Sequence, residues 1–269
     1  MAGAPSTAIF SDIDGTLLNS ASELTPATRQ AIDAVQAAGI PFVIVTARGM
    51  QGTFPLLDRT GLVCPVVTYS GGVIMDADRS IIHHHGLTRA QAAEVVAFVE
   101  GEHLDATWSA YSFEDWVAPR VDDPRIKAEE RIVCARAREG AVSSIERDEV
   151  QKIMCLCSAG ATYEVERRLR ERFPELAIAQ SSPTLIEVMR ADTSKASAVR
   201  TFCDLYGIDP ADALAFGDNY NDVPMLDAVG HGYLMANAPA ELAASYPLIA
   251  PSNDRDGIVL TLRALGYLS

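Results

Sequence analysis

Residues 7–16 read Thr7-Ala-Ile-Phe-Ser11-Asp12-Ile-Asp14-Gly15-Thr16, and the fold follows from them. The apolar run to Ser11 is too short for a helix and ends in an acidic, glycine-containing turn, which predicts a strand feeding a polar loop. Outward from it the rhythm repeats. Thr25, Pro26 and Gly39 supply an N-cap, a first-turn proline and a terminating glycine for a helix. Pro41-Phe-Val-Ile-Val-Thr46 is a β-branched strand, a helical stretch runs to about Gly61, and Pro65–Tyr69 is a third strand ending at Ser70-Gly71-Gly72. Strand, helix, strand, helix, strand predicts a parallel sheet with crossover helices.

The rhythm changes after Gly72. Val73–Met75 and Ser80–His84 flank Asp76-Ala-Asp-Arg79 as a hairpin. An amphipathic helix at Thr88–Glu102, aromatic strand material at Thr107–Val117, and a charged helix at Asp123–Glu139 follow. Then come a strand at Val150–Ser158, a helix at Ala161–Arg172, and a strand pair at Leu176–Gln180 and Thr184–Met189. From Ser194 the first rhythm returns, with a helix to Gly207 and a strand at Ala213–Phe216. The expected organisation is α/β: a Rossmann-like parallel-sheet core of residues 1–81 and 188–269, interrupted by an α+β cap at 82–187.

A length of 269 residues accommodates one large domain or two smaller ones. The 22 Lys+Arg against 36 Asp+Glu leave a net charge of −14, a field that opposes binding to nucleic acid or anionic membranes. The same field repels phosphate esters, so a site for them needs a local cation, and a metal is the natural one. The five cysteines form no metal-binding spacing; Cys155 and Cys157 alternate in an apolar run and read as buried strand residues. Met1–Thr7 shows no basic stretch followed by an apolar one, and no apolar run reaches the ~20 residues that span a bilayer. A cytoplasmic location is expected.

Four pieces could carry chemistry, each where a predicted strand or helix meets a loop. Asp12 and Asp14, one residue apart after a strand, can face one small site, and their mutual repulsion asks for a cation or a shared proton. Mg²⁺, a hard ion with oxygen ligands, suits them, although an Asx-turn has the same sequence. Thr46-Ala47-Arg48 offers a hydroxyl and backbone N–H groups to an anion, or a plain N-cap. Lys195 stands at the head of a helix, where its charge opposes the dipole and a phosphate would relieve it; an exposed lysine is the simpler reading. Gly217-Asp218-Asn-Tyr-Asn221-Asp222 is an acidic loop after a strand, with Asp218 at the sheet edge. Together they are the parts phosphoryl transfer requires: a carboxylate, a metal site, a hydroxyl and a lysine.

Asp12-Ile-Asp-Gly-Thr16, Thr46, Lys195 and Gly217-Asp218-x-x-Asn221-Asp222 resemble, in order and context, the four signatures of the haloacid dehalogenase superfamily. With an insert between the third strand and the lysine, the chain looks like the Cof-type branch of sugar-phosphate and small-phosphate phosphatases. The resemblance implies a phosphoric monoester hydrolase in which Asp12 attacks phosphorus to form an aspartyl phosphate and Asp14 serves as acid and then base. It implies that Mg²⁺ is held by the carboxylates of Asp12 and Asp218 and the Asp14 carbonyl. Thr46, the Ala47 amide, Lys195 and Asn221 would hold phosphoryl oxygens, with Thr16 and Asp222 in support. Three positions depart from the family's usual pattern: Ala47 replaces Gly, Ser70 replaces Asn before Gly71, and Ala196 replaces Gly. None removes a charged group.

A phosphotransferase or phosphomutase is the rival enzyme, and a phospho-receiver-like regulator the rival of another class. Receivers are about half this length and lack an inserted domain. The expected partner is a small phosphorylated metabolite, with no nucleic acid or membrane and no reading of oligomeric state. His83-His84-His85 could bind metal or serve as strand residues. Trp108, Tyr111 and Trp116 could stack on a sugar or pack in a core. Arg120, Arg125, Lys127 and Arg131 could meet an anionic substrate or form a solvated helix face.

Overall fold

The computed structural model describes residues 6–268. Met1–Pro5, on which most of the leader reading rests, and Ser269 lie outside the described residues. The chain divides into two compact units. One comprises residues through Ala47, Leu57–His83, and Ser194 onward; the other comprises Arg48–Leu56 and His84–Thr193. Among the described residues no helix is long and apolar enough to cross a membrane.

Before the insertion run β1 (Ile9–Ser11), α1 (Pro26–Ala37), β2 (Phe42–Val45), α2 (Met50–Thr60), β3 (Val66–Thr68), β4 (Val73–Met75) and β5 (Ile81–His84). The inserted unit contains β6 (Leu87–Thr88), α3 (Arg89–Gly101), β7 (Ala106–Ser112), β8 (Asp115–Ala118), α4 (Pro124–Val133), β9 (Arg138–Glu139) and β10 (Glu149–Val150). It continues through β11 (Lys152–Cys157), α5 (Thr162–Arg172), β12 (Leu176–Ser182) and β13 (Leu185–Arg190). The first unit resumes with α6 (Lys195–Tyr206), β14 (Leu214–Gly217), α7 (Val223–Leu226), β15 (His231–Met235), α8 (Ala240–Ser245), β16 (Ile249–Ala250) and α9 (Gly257–Ala264). Because the chain returns at Ser194, β13 lies wholly in the inserted unit instead of being divided after residue 187.

The large sheet has the order β16-β15-β14-β1-β2-β3-β4-β5. β1 is central and parallel to both neighbours, with Ile9 opposite Phe42 and Leu214 and Ser11 opposite Ile44 and Phe216. The pairs β2–β3, β14–β15 and β15–β16 are also parallel. Six strands therefore deliver their carboxyl ends to one edge, the edge at which open parallel sheets bind ligands. β1 and β2 are buried at every position, the pattern of strands covered on both faces. Phe10 of β1 meets Phe202 of α6 edge to face, with centroids 5.6 Å apart. That contact ties the strand before Asp12 to the helix that begins with Lys195. Truncating Phe10 to alanine would cost about 3–5 kcal/mol.

Local chemistry places these helices. Thr25 caps α1 by accepting from Thr28 N at 3.1 Å, Pro26 opens it, and Gly39 beyond its end takes φ +83°. Ser194 caps α6 by accepting from Ser197 N at 3.0 Å, while Ser197 Oγ accepts from Ser194 N at 2.9 Å.

In the inserted unit a sheet of order β12-β13-β11-β7-β8-β9 packs a core that includes Val95 and Val99 of α3, Val165 and Leu169 of α5, and Ile153, Cys155 and Ile186. Cys155 and Cys157 are buried in β11, as their alternation suggested. The charged helix expected over residues 123–139 stops at Val133. Cys134 turns left-handed at φ +54°, and Glu130 accepts from Arg136 Nη1 at 3.0 Å and from Ala137 N at 3.1 Å, folding the chain back.

Candidate active site

Asp12 follows β1 directly, and the chain then makes a tight turn closed by Leu18 N donating to Ile13 O at 3.0 Å. Gly15 takes φ +78° there, and a Cβ at that position would lie 2.3 Å from Asp218 Oδ2. The glycine is thus required twice, by backbone conformation and by the approach of a carboxylate. Thr16 Oγ1 donates to Asp218 Oδ1 at 3.0 Å, joining the turn to the loop after β14.

Lys195 Nζ donates to Asp12 Oδ1 at 2.5 Å and to Asp222 Oδ1 at 2.6 Å. The three side chains are deeply buried, with Lys195 2 %, Asp12 7 % and Asp222 0 % exposed. Asp222 uses its other oxygen to accept from the N–H groups of Asp218 and Asn219, both at 3.0 Å. Carboxylate oxygens of Asp12, Asp218 and Asp222 lie within 4.8 Å of one another, the set among the described residues that could share an ion.

Electrostatics follows from this crowding. Burial raises the Asp12 carboxyl to about 7, with Lys195 opposing the shift and Asp222 adding to it. Burial, then Asp222, raises Asp218 to about 6. Burial disfavours the Lys195 charge, yet Asp12 and Asp222 outweigh it and leave its pKa above the ordinary lysine value. These directions agree, because one cation shared among several carboxylates stays charged while the carboxylates repel each other. Fully ionised, three carboxylates and one ammonium carry an excess of two negative charges, which a divalent cation matches. Asp222 is committed to Lys195 and the backbone, whereas Asp12 and Asp218 retain lone pairs for a metal.

Thr46 is buried at the end of β2, where its N–H donates to Val67 O and its carbonyl accepts from Ser70 N, both at 2.9 Å. Ala47 follows it, half-buried. Tyr69, Ser70 and Gly71 have φ of +54°, +52° and +120°, a run of left-handed backbone at the same sheet edge. A Cβ on Gly71 would lie 2.5 Å from the carbonyl oxygen of Ser194, the cap of α6. Asp14 is exposed beside the cluster and its charge acts on Asp218; Asn221 is exposed on the β14–α7 loop. The structure therefore joins Asp12, Thr16, Lys195, Asp218 and Asp222 by direct contact and sets Asp14, Thr46, Ala47 and Asn221 on the same edge.

Two residues escaped the sequence reading. Asn237, after β15, donates from Nδ2 to Gly15 O at 2.8 Å, and Asn253, after β16, donates from Nδ2 to Leu18 O at 2.8 Å. Single asparagines in loops carry no spacing signal. Elsewhere, His84 pairs with Glu149 at 2.8 Å and His85 with Asp192 at 2.9 Å. Trp108 turns to the core side of its sheet, donating to Glu100 at 2.7 Å, while Tyr111 and Trp116 stack on each other with centroids 5.1 Å apart. Arg120 and Arg125 pair with Asp122 and Asp123.

The family model of the haloacid dehalogenase-like hydrolases matches residues 9–262. A putative phosphatase of Haemophilus influenzae is 31% identical over 255 residues, covering 95% of this chain and 96% of that protein. The 5-amino-6-(5-phospho-D-ribitylamino)uracil phosphatase of Bacillus subtilis is 25% identical, covering 92% and 93%. A haloacid dehalogenase-like hydrolase from Bacteroides thetaiotaomicron superimposes with a TM-score of 0.85 at 24% identity, over 96% of this chain and 99% of that one. A sugar phosphatase of subclass IIB superimposes with a TM-score of 0.80 at 20% identity, over 97% and 100%. With its buried carboxylate cluster at the sheet edge and this likeness along nearly its whole length, the chain belongs to the haloacid dehalogenase-like hydrolases and is a phosphatase of that family.

Proposed function

We propose that this phosphatase hydrolyses phosphomonoesters of small metabolites, sugar phosphates first, through an aspartyl phosphate on Asp12. The observation that carries the reading is the buried bridge from Lys195 to Asp12 and Asp222, with Asp218 beside it. Asp12 is the one member of the cluster that stands next to the lysine, keeps lone pairs and follows the central strand. Its carboxylate attacks phosphorus as the ester oxygen departs. Asp14, exposed two residues on, protonates the leaving oxygen and then takes a proton from the water that frees Asp12. Lys195, the Thr46 hydroxyl, the Ala47 amide and the Asn221 side chain hold the phosphoryl oxygens. Asp222 anchors Lys195 and ties the Asp218 loop, while Thr16 orients Asp218.

The donor set fits Mg²⁺, held by Asp12, Asp218 and the Asp14 carbonyl. Bound there, it would neutralise charge on the phosphoryl oxygens and keep Asp12 ionised. The inserted unit, residues 84–193, is assigned the part of a cap that selects the rest of the substrate. The relatives named for a phosphoribityl compound and for sugar phosphates support that substrate class.

The test is phosphate release from a panel of phosphorylated metabolites, with Mg²⁺ and with EDTA, for the native protein and for Asp12→Asn. Metal-dependent release that Asp12→Asn abolishes is the expected result. Full turnover by Asp12→Asn would refute the covalent step. Transfer of the phosphoryl group to an added alcohol in preference to water would make the enzyme a transferase.

A further inference from the structure

The nucleophile turn is braced from outside as well as from within. Between Asp12 and Leu18 the turn is closed by Leu18 N donating to Ile13 O at 3.0 Å, and Asp14 in the middle is exposed. Further support comes from the far end of the chain. Asn237 donates to the Gly15 carbonyl at 2.8 Å, and Asn253 donates to the Leu18 carbonyl at 2.8 Å. The asparagines are themselves joined, with Asn253 N donating to Asn237 Oδ1 at 3.0 Å. The next residue extends the contact, since Asp254 Oδ1 accepts from Ser20 N at 2.8 Å. Asn237 and Asn253 follow β15 and β16, so the outer strands of the sheet reach back to the turn that follows its central strand.

We infer that Asn237 and Asn253 form a clamp that positions the Gly15–Thr16 peptide, and that they are positioning residues for phosphoryl transfer and for Mg²⁺ binding. The Gly15 carbonyl belongs to the peptide between Gly15 and Thr16. Fixing that peptide fixes Thr16, whose hydroxyl orients Asp218, and sets the direction of the adjoining Asp14 carbonyl and side chain. Neither asparagine touches the reacting atoms. Their effect passes through the Gly15 and Leu18 carbonyls to two of the metal's proposed ligands and to the proposed acid–base group. Outer partners of metal ligands of this kind are worth roughly 10–100-fold in affinity or activity. The role in catalysis rests on the phosphatase mechanism proposed above; the role in shaping the turn does not.

The experiment uses the full chain with Asn237→Ala and, independently, Asn253→Ala, which frees the Leu18 carbonyl and leaves Asn237 in place. Three quantities are read. Amide hydrogen exchange over residues 12–19 in metal-free protein is expected to quicken by about tenfold or more, with peptides of the inserted unit unchanged. Calorimetry is expected to show Mg²⁺ binding weakened by roughly tenfold. Turnover is expected to fall mainly in kcat, with KM within about twofold. Unchanged exchange in the turn would overturn the inference. So would faster exchange with Mg²⁺ affinity unaltered, since the clamp would then be structural only. Should the native protein show no Mg²⁺-dependent turnover, the proposed function fails, and exchange and calorimetry still decide the clamp.

Discussion

Replacing Lys195 with methionine removes the one cation from a buried group of carboxylates while keeping the volume of its stem. Lys195 is 2 % exposed and bonds Asp12 at 2.5 Å and Asp222 at 2.6 Å. Without it, a carboxylate that was paired must either stay charged in a site water does not reach or take up a proton. Breaking a buried pair in this way costs about 3–5 kcal/mol. Protonation sets a ceiling, because holding a proton on a carboxyl of ordinary pKa near 3.9 costs about 1.4 kcal/mol per pH unit above that value, or about 4 kcal/mol at pH 7. The sign follows from linkage. A carboxyl whose folded pKa lies above its unfolded one binds more protons when folded, so stability falls as pH rises between the two values. Lys195→Met should therefore lose about 4 kcal/mol at pH 7 and only about 1.5 kcal/mol at pH 5. Urea unfolding in EDTA, at pH 5, 6 and 7, reads this directly, and Asp222→Asn in the same background should recover much of the loss at pH 7. A loss under about 1 kcal/mol with no dependence on pH would refute the assignment of Lys195 as the charge that holds the cluster together.

Three further results are expected. Gly15→Ala places a Cβ 2.3 Å from Asp218 Oδ2 at φ +78°; it should cut Mg²⁺-dependent phosphate release at least about 100-fold with the circular dichroism spectrum intact, and activity within tenfold would contradict the close approach. Protons compete with Mg²⁺ for Asp12, raised to about 7, and Asp218, raised to about 6. Mg²⁺ affinity by calorimetry should thus climb from pH 5 and level off above pH 7, whereas a flat profile would remove these carboxylates from the metal site. Of the five cysteines Cys134 is exposed, while burial raises Cys64 and Cys155 to about 12 and Cys203 to about 11 and also raises Cys157. A thiol reagent at pH 8 should label one thiol in the native protein and five after denaturation; two or more labelled natively would show that the cores open.

What the sequence disclosed divides along a physical line. Short-range patterns were readable: the cap and first-turn proline of α1, the buried strands flanking Asp12, the return of the parallel rhythm at α6. The residues that meet around Lys195 were readable because each follows a strand end, where a parallel sheet gathers them at one edge. The contact of Asn237 and Asn253 with the turn after β1 was not, because it spans more than two hundred residues and depends on which strands lie side by side. The end of α4 was hidden for a different reason. Residues 134–139 continue the charged pattern of a helix, and Glu130 stops it through contacts with Arg136 and Ala137 that composition does not disclose. Tyr69 and Ser70 gave no hint of left-handed backbone, since neither residue type favours it.

The central position of β1 has a consequence for how the molecule is made. Its partner β2 lies about thirty residues on, but its other partner, β14, begins at Leu214, beyond the whole inserted unit. During synthesis the first half of the large sheet must wait with one side of β1 unpaired while some two hundred residues emerge. The inserted unit, whose own strands are neighbours within about a hundred residues, can complete its core in that interval. Closure of the β1–β14 ladder is then the slow, long-range step. It is also the step that brings Asp218 and Asp222 to Asp12, so the newborn chain acquires its buried charges only when almost all of it is present to bury them.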